Sequence, residues 1–384
     1  MFTTILLFII ILGLLVFVHE FGHFIFAKKL GAKVEEFGFG FPPRAIGVYK
    51  NHEGKTKIVF KKTPQTASTI YSFNWVPIGG FVKIKGEDGE GKNDPDSFAS
   101  KPVWKRAVIL AAGVTMNFIL AAAIMSVGFG IGMPQAIEKD IAGANVKDRV
   151  LQVVSVTKDS PAGKAGLQAG DEITAVDGKK LDFKELQAYA TSKVGEEVIY
   201  SIKREDKSFD ANATPSILKE TGYGGIGIGL VETGIVSYPW YLAIWKGITE
   251  TFFFTKEIVI AFATLLKDLF IGKGATVDLS GPIGIAVITG RVARLGLIYI
   301  LQFTALLSVN LAVVNILPFP ALDGGRLLFL IIEKIRRRAM SQKVEAMIHN
   351  VGFMVLMALV AIVTYRDFIK FGDKFSSLWN SIIR

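Results

Sequence analysis

The feature that most constrains this chain is a pair of histidines and a glutamate set inside an unbroken apolar run. Residues 4–27 read TILLFIIILGLLVFVHEFGHFIFA, long enough as a helix to cross the roughly 30 Å hydrocarbon core of a bilayer. Ionisable groups at that depth are costly and generally mark a function. His19 and His23 are four residues apart, so a helix turns both rings to one face, within reach of one metal ion, while Glu20 stands beside a water. The bare pattern His-Glu-x-x-His arises by chance in many helices. The competing reading is a polar cluster that hydrogen-bonds neighbouring helices. No basic residue precedes the run and no A-x-A-like site follows it, so it reads as a retained span and not as a signal peptide.

The rest of the composition agrees with a membrane setting. Of 384 residues 51% are hydrophobic, and mean hydropathy is +0.42, more apolar than soluble domains average. Further spans are expected from about Lys105 to Met133, Leu297 to Leu317 and Ala346 to Tyr365. Net charge is +10, but the basic residues flank apolar runs, which suits an anionic cytoplasmic leaflet and leaves nucleic acid with little support. Lys28, Lys29, Lys33, Lys101, Lys105 and Arg106 bracket the first loop, and Lys334, Arg336, Arg337, Arg338 and Lys343 fill the last. Positive-inside therefore puts both loops in the cytoplasm, with both termini and the region 141–232 outside. The chain has no cysteine, which excludes disulfides and thiolate metal ligands.

Between the spans lie two regions of β character. Residues 31–103 carry Gly- and Pro-punctuated β-formers, EEFGFGFPPRAIGVYK, TKIVFKK and STIYSFNWVPIGGFVKIKG. Residues 141–232 are soluble in character, with turn, strand, turn and amphipathic helix over GLQAGDEITAVDGKKLDFKELQAYA. The stretch 239–270 is hydrophobic enough for a span, yet Lys246, Glu250, Glu257 and Asp268 fall within about 40° of one another on a helical wheel. A helix with such a stripe lies at the interface or packs on the protein. A span there would also put the two basic loops on opposite sides. Four spans result.

Two histidines leave a catalytic zinc one protein ligand short. Asp323, in NILPFPALDGGRL, is the candidate: Pro318 and Pro320 free backbone groups, and Gly324 and Gly325 permit a sharp turn. Irregular backbone at membrane depth survives only when buried in protein or lining a wet cavity. The plainer alternative is a loop with Asp323 capping the next helix. The first and third spans run in the same direction, so His19-Glu20-x-x-His23 and Asp323 both arrive near the inner side.

HEFGH in the first span and N-x-x-P-x-P-x-LDGG after the third resemble the site-2 protease family of intramembrane zinc metalloproteases. AAGVTMNF (Ala111–Phe118) is similar to that family's second-span motif, with Val114 where proline is common. WVPIGGFVKIKGE resembles the bacterial branch that cleaves anti-sigma factors, and residues 151–188 resemble a bacterial PDZ domain, one copy where some relatives have two. The resemblance implies zinc on His19, His23 and Asp323, Glu20 as general base, and membrane-spanning proteins or peptides as substrates in a bacterial inner membrane. Anti-sigma factors and remnant signal peptides are the implied clients. A substrate helix must unwind to be cut, so an extended segment is expected on a sheet edge, for which Gly38, Phe39 and Gly40 are the candidate. Asn315 is a candidate for bonding substrate backbone, although an intramembrane Asn also joins helices. The PDZ-like domain would either bind a carboxyl terminus or screen out bulky ectodomains. A metal transporter and a catalytically silent PDZ scaffold are the rival classes.

The expected fold is thus an α-helical polytopic membrane protein with four transmembrane helices, a membrane-associated β-rich loop region and one extracytoplasmic PDZ-like α+β domain. Its parts are 1–30 (first span), 31–103 (cytoplasmic-side β-rich region), 104–133 (second span), 141–232 (PDZ-like), 236–273 (amphipathic interfacial helix), 296–330 (third span with LDGG) and 346–371 (fourth span).

Overall fold

A computed structural model of the chain describes residues 2–60, 64, 66, 68–89, 91–137, 143–204, 207–218, 222–272, 280–338 and 340–382. Lys61 and Lys62 of the expected second strand, residues 141 and 142 of the expected soluble domain, and residue 273 lie outside them. In chain order the first elements are α1 (Phe2–Lys29), β1 (Val34–Lys50), β2 (Thr56–Val59), β3 (Ile70–Ile84) and α2 (Val103–Ile131). There follow β4 (Met133–Ala136), β5 (Asn145–Val156), α3 (Pro161–Lys164), β6 (Glu172–Val176), α4 (Phe183–Ser192), β7 (Val198–Arg204), β8 (Lys207–Ala213), β9 (Ser216–Ile217), β10 (Gly224–Gly225) and β11 (Ile228–Ser237). The chain closes with α5 (Trp240–Phe270), α6 (Pro282–Leu295), α7 (Leu297–Ile316), α8 (Asp323–Arg336) and α9 (Gln342–Ile382). It divides into two compact units, Met1–Ser126 with Ile244–Arg384, and Val127–Ala243.

Among the described residues, four helices are long and apolar enough to cross a membrane: Thr3–Lys29, Val103–Ile131, Leu297–Ile316 and Lys343–Lys370. These are the four expected spans. α5 is not among them. Its buried positions are small or hydroxylated, Ala243, Gly247 and Thr251, and a Cβ on Gly247 would lie 2.2 Å from Ser126 Oγ of α2. Trp245, Phe252, Phe253, Val259 and Ile260 face outward. α6 has no counterpart in the sequence reading. It opens on Gly281-Pro282, with proline at the first helical turn where its missing N–H costs nothing, and the buried carboxylate of Asp367 on α9 accepts from Gly284 N–H at 2.7 Å.

The three-stranded sheet of the first unit has the order β2-β1-β3, but β3 is bent and uses both of its halves against β1. Gly38 faces Phe81 on one side and Ser72 on the other, and Phe39 faces Gly80 and Phe73. The expectation that Gly38, Phe39 and Gly40 form an open edge is therefore corrected: Gly38 and Phe39 are paired on both sides. The reason is length. β1 and β3 have 17 and 15 residues, and β1 reverses through Gly40, whose φ is 84°, and the prolines 42 and 43. Each strand doubles back, placing the middle of β1 inside the sheet. The glycine at 38 serves this packing, since a Cβ there would sit 2.2 Å from Ser72 Oγ. Among the described residues the unpaired edge on this side is the second half of β3, beyond Gly79.

The second unit holds an antiparallel six-stranded sheet, β4-β11-β5-β6-β7-β8. Alternate residues of its strands, with Leu167 and Leu186, enclose one apolar core around Val153, Ile173, Val176, Val198, Tyr200 and Ile202. α4 starts with a capping box in which Asp182 accepts from Glu185 N–H and the Glu185 carboxylate accepts from Asp182 N–H, satisfying two otherwise orphaned donors. The buried Asp171 accepts from Arg204 Nε at 2.6 Å and from Gln168 N–H at 2.8 Å. Burial alone would raise its pKa, but the guanidinium and the amide hold the carboxyl below its usual range.

Candidate active site

α1 and α2 touch through small residues. A Cβ on Gly22 would lie 2.5 Å from the Ala112 carbonyl oxygen, so only glycine allows this approach. Directly across, Gly113 faces the two histidines: a Cβ there would lie 2.4 Å from His23 Nε2 and 2.8 Å from His19 Nε2. The missing side chain leaves open the space toward which both Nε2 atoms point. His23 Nδ1 donates to the Ile109 carbonyl at 2.8 Å, which leaves Nε2 as the nitrogen with a lone pair. His19 Nδ1 meets the Asn117 side-chain amide at 3.3 Å. Ile109, Gly113 and Asn117 recur every four residues and so share one face of α2.

Asp323 is the first residue of α8, and Leu322, not Asp323, occupies the cap position without a side-chain bond. The carboxylate is thus free for another partner. The segment before it is tightly folded. Ala321 has φ 75°, a left-handed conformation unusual outside glycine, and its N–H donates to His349 Nδ1 of α9 at 2.9 Å. A Cβ on Gly352, one turn on, would lie 2.3 Å from Pro320 Cβ, so α9 forms a close backing for the segment. Gly324 and Gly325 are required by equally short approaches, 2.2 Å to the Ile316 and Leu317 carbonyl oxygens and 2.3 Å to that of Phe319. Arg326 pairs with Glu87, tying α8 to the segment after β3, and Glu333 with Arg106 at 2.7 Å, tying it to α2.

These supports bring Asp323 to His19 and His23, the first of which lies 304 residues before it. His19 Nε2 lies 2.9 Å from Asp323 Oδ2, His23 Nε2 lies 3.3 Å from the same oxygen, and the two Nε2 atoms are 3.2 Å apart. Ligand atoms about 2.0–2.1 Å from a tetrahedral ion are separated by about 3.3 Å, so the donor set, two imidazoles and a carboxylate, fits zinc in kind and spacing. Both histidines are buried.

Glu20 shares the turn between the histidines and faces β3. Its side chain packs on that strand: a Cβ on Gly80 would lie 3.2 Å from Glu20 Cβ and Cγ. Asn315 is half-buried in the last turn of α7. The sequence reading did not assign Ile109, Gly113, Asn117, His349 or Gly352 to the site. The signal for two of them was present: a glycine and an asparagine one turn apart in an otherwise apolar span. For His349 and Gly352 no local pattern points to Ala321 and Pro320.

The profile of Peptidase family M50 matches residues 7–359. Similar proteins include zinc metalloprotease RasP of Geobacillus kaustophilus, 29% identical over 96% of this chain and 98% of its own. The regulator of sigma-W protease RasP of Bacillus subtilis is 30% identical, covering 95% and 98%, and a putative zinc metalloprotease of Clostridium perfringens is 35% identical, covering 92% and 95%. Among solved structures, the PDZ domain of an SdrC-like protein from Listeria innocua is 35% identical over 21% of this chain and 92% of that domain, with a TM-score of 0.20.

Proposed function

The chain belongs to peptidase family M50, the site-2 proteases, and is a zinc metalloprotease of the membrane; on that premise we propose that it holds zinc on His19, His23 and Asp323 and cuts membrane-spanning substrates with Glu20 as general base. One observation carries the assignment: three ligand atoms from helices far apart in sequence converge at 2.9–3.3 Å.

When bound, zinc supplies a Lewis acid that polarises the scissile carbonyl and makes water a usable nucleophile near neutral pH. Glu20 takes the proton of the attacking water and returns it to the leaving amine, which lets one carboxylate serve both halves of the reaction. Close packing on Gly80 holds the Glu20 side chain against β3. His23 is fixed in the metal-binding tautomer by Ile109.

The same strand offers a place for substrate. An unwound segment lies along the outer side of β3 beyond Gly79, its backbone completing hydrogen bonds that the sheet leaves open, which gives affinity without sequence preference. Asn315 contributes a further bond to the substrate backbone. A series of model transmembrane peptides, each N-methylated at one residue, tests the edge: turnover is lost at every second position near the scissile bond, and uniform tolerance would remove β3 from substrate binding.

The basic loops support a reading with the site toward the cytoplasm and both termini and the PDZ-like unit outside a bacterial inner membrane. The outward aromatic and aliphatic residues of α5 fit a helix at the lipid interface. The PDZ-like unit, strung between the second and third spans, screens out bulky ectodomains; anti-sigma factors and trimmed signal peptides are then the clients. Deleting residues 141–232 will allow cleavage of untrimmed substrate, whereas loss of all cleavage would favour a recognition role. The activity itself is tested with purified protein in detergent and a model transmembrane peptide: fragments form, and a chelator stops them.

A further inference from the structure

We propose that Asn117 is a positioning residue for the first metal ligand: its side-chain oxygen accepts from His19 Nδ1–H and fixes the tautomer that leaves Nε2 free for zinc. The inference rests on the metalloprotease reading above. His19 Nε2 is the nitrogen turned toward Asp323 Oδ2 and His23 Nε2, at 2.9 and 3.2 Å. A neutral imidazole carries one proton, so an Nε2 that offers its lone pair requires the proton on Nδ1.

Nδ1 faces the Asn117 amide nitrogen at 3.3 Å, which would oppose one N–H donor to another. On the same side chain, Oδ1 is buried and has no hydrogen-bond partner among the described residues. Oxygen and nitrogen of an amide occupy nearly the same volume, so a half-turn of the group exchanges them with no other atom displaced. That half-turn removes the opposition and gives the buried oxygen a donor. Asn117 is well held for the task, because its own carbonyl accepts from Ser308 Oγ of α7 at 2.8 Å. The two histidines then share one arrangement, with Nδ1–H bonded to an oxygen of α2 and Nε2 directed to the metal. For His23 the oxygen is the Ile109 carbonyl; for His19 it is the Asn117 amide.

The test is zinc affinity of the full chain in detergent, measured by competition with a chromophoric chelator. Asn117→Leu, which has no acceptor, is expected to bind zinc about 10- to 100-fold more weakly. Asn117→Asp offers only acceptors and is expected to restore affinity to within about threefold of wild type, since the acceptor is what His19 needs. An Asp variant as weak as the Leu variant would mean that the amide donates to His19, and overturns the proposal. So would a Leu variant with wild-type affinity. Thermal unfolding in chelator checks that the metal-free forms are equally folded; should the Leu variant fail this, Asn117→Ala takes its place beside Asn117→Asp. A wild-type chain that takes up no zinc would instead overturn the metalloprotease reading beneath.

Discussion

In the unit Val127–Ala243, leucine, isoleucine, valine and Tyr200 are enclosed by a sheet and a helix, and charged side chains occupy the outside. The other unit reverses this along much of its surface. α9 turns Met347, Val351, Phe353, Met354 and Val355 outward and places Gly352 against Pro320; α1 and α2 expose isoleucines and leucines and meet at Gly22 and Gly113. Water drives apolar side chains inward, but a hydrocarbon solvent rewards no such burial. Helices there associate through close backbone approach and polar bonds, so the buried faces are left to small residues and to the groups that do chemistry. The soluble-type unit owes its stability to its core, while the membrane unit owes its site to its glycines.

Four substitutions and conditions bear on this difference. The largest effect is expected from Glu20→Gln, which removes the base but no ligand: turnover of a transmembrane peptide falls about 10²- to 10⁴-fold with zinc content unchanged. Normal turnover would remove Glu20 from the mechanism. Gly113→Ala comes next, because its Cβ would intrude between the two Nε2 atoms. Zinc retained after dialysis drops to a small fraction of wild type, although the change is one methyl in a span that tolerates alanine; full retention would show that the site does not depend on this approach. Leu186→Ala, in the core of the second unit, costs that unit about 2–5 kcal/mol, seen as faster amide exchange in β5–β7, and leaves zinc binding intact. If zinc is lost as well, the two units do not separate as described. The smallest effect concerns Asp171. Its folded pKa is lowered, so the stability it contributes is complete above its ordinary value of 3.8 and is lost as pH falls below it. Acid unfolding of the second unit should therefore shift to higher pH in Asp171→Asn, read by the same amide exchange.

The sequence made some of this legible because a local period carries it. His19, Glu20 and His23 are contiguous on one helix, and their charge cost inside an apolar run signals function without reference to any other segment. Asp323 was accessible by ligand arithmetic and by the broken backbone around Pro318 and Pro320. Pairing was not. Alternation of β-formers in β1 and β3 reports faces but not partners, so Phe39 looked like an edge residue although Gly80 and Phe73 flank it. α6 escaped because its fourteen residues are short for a span. The contacts of His349 with Ala321 and of Gly113 with both imidazoles depend on helices brought together in space, which no single-segment pattern encodes.

The account depends on one ion shared by α1 and the start of α8. Zinc stoichiometry of purified Asp323→Asn after dialysis against a mild chelator, beside wild type and His19→Ala, tests this most directly. Wild type should keep one zinc per chain and both variants should lose it. If Asp323→Asn keeps its zinc as firmly as wild type, the two helices do not meet at a common metal and the proposed centre is wrong.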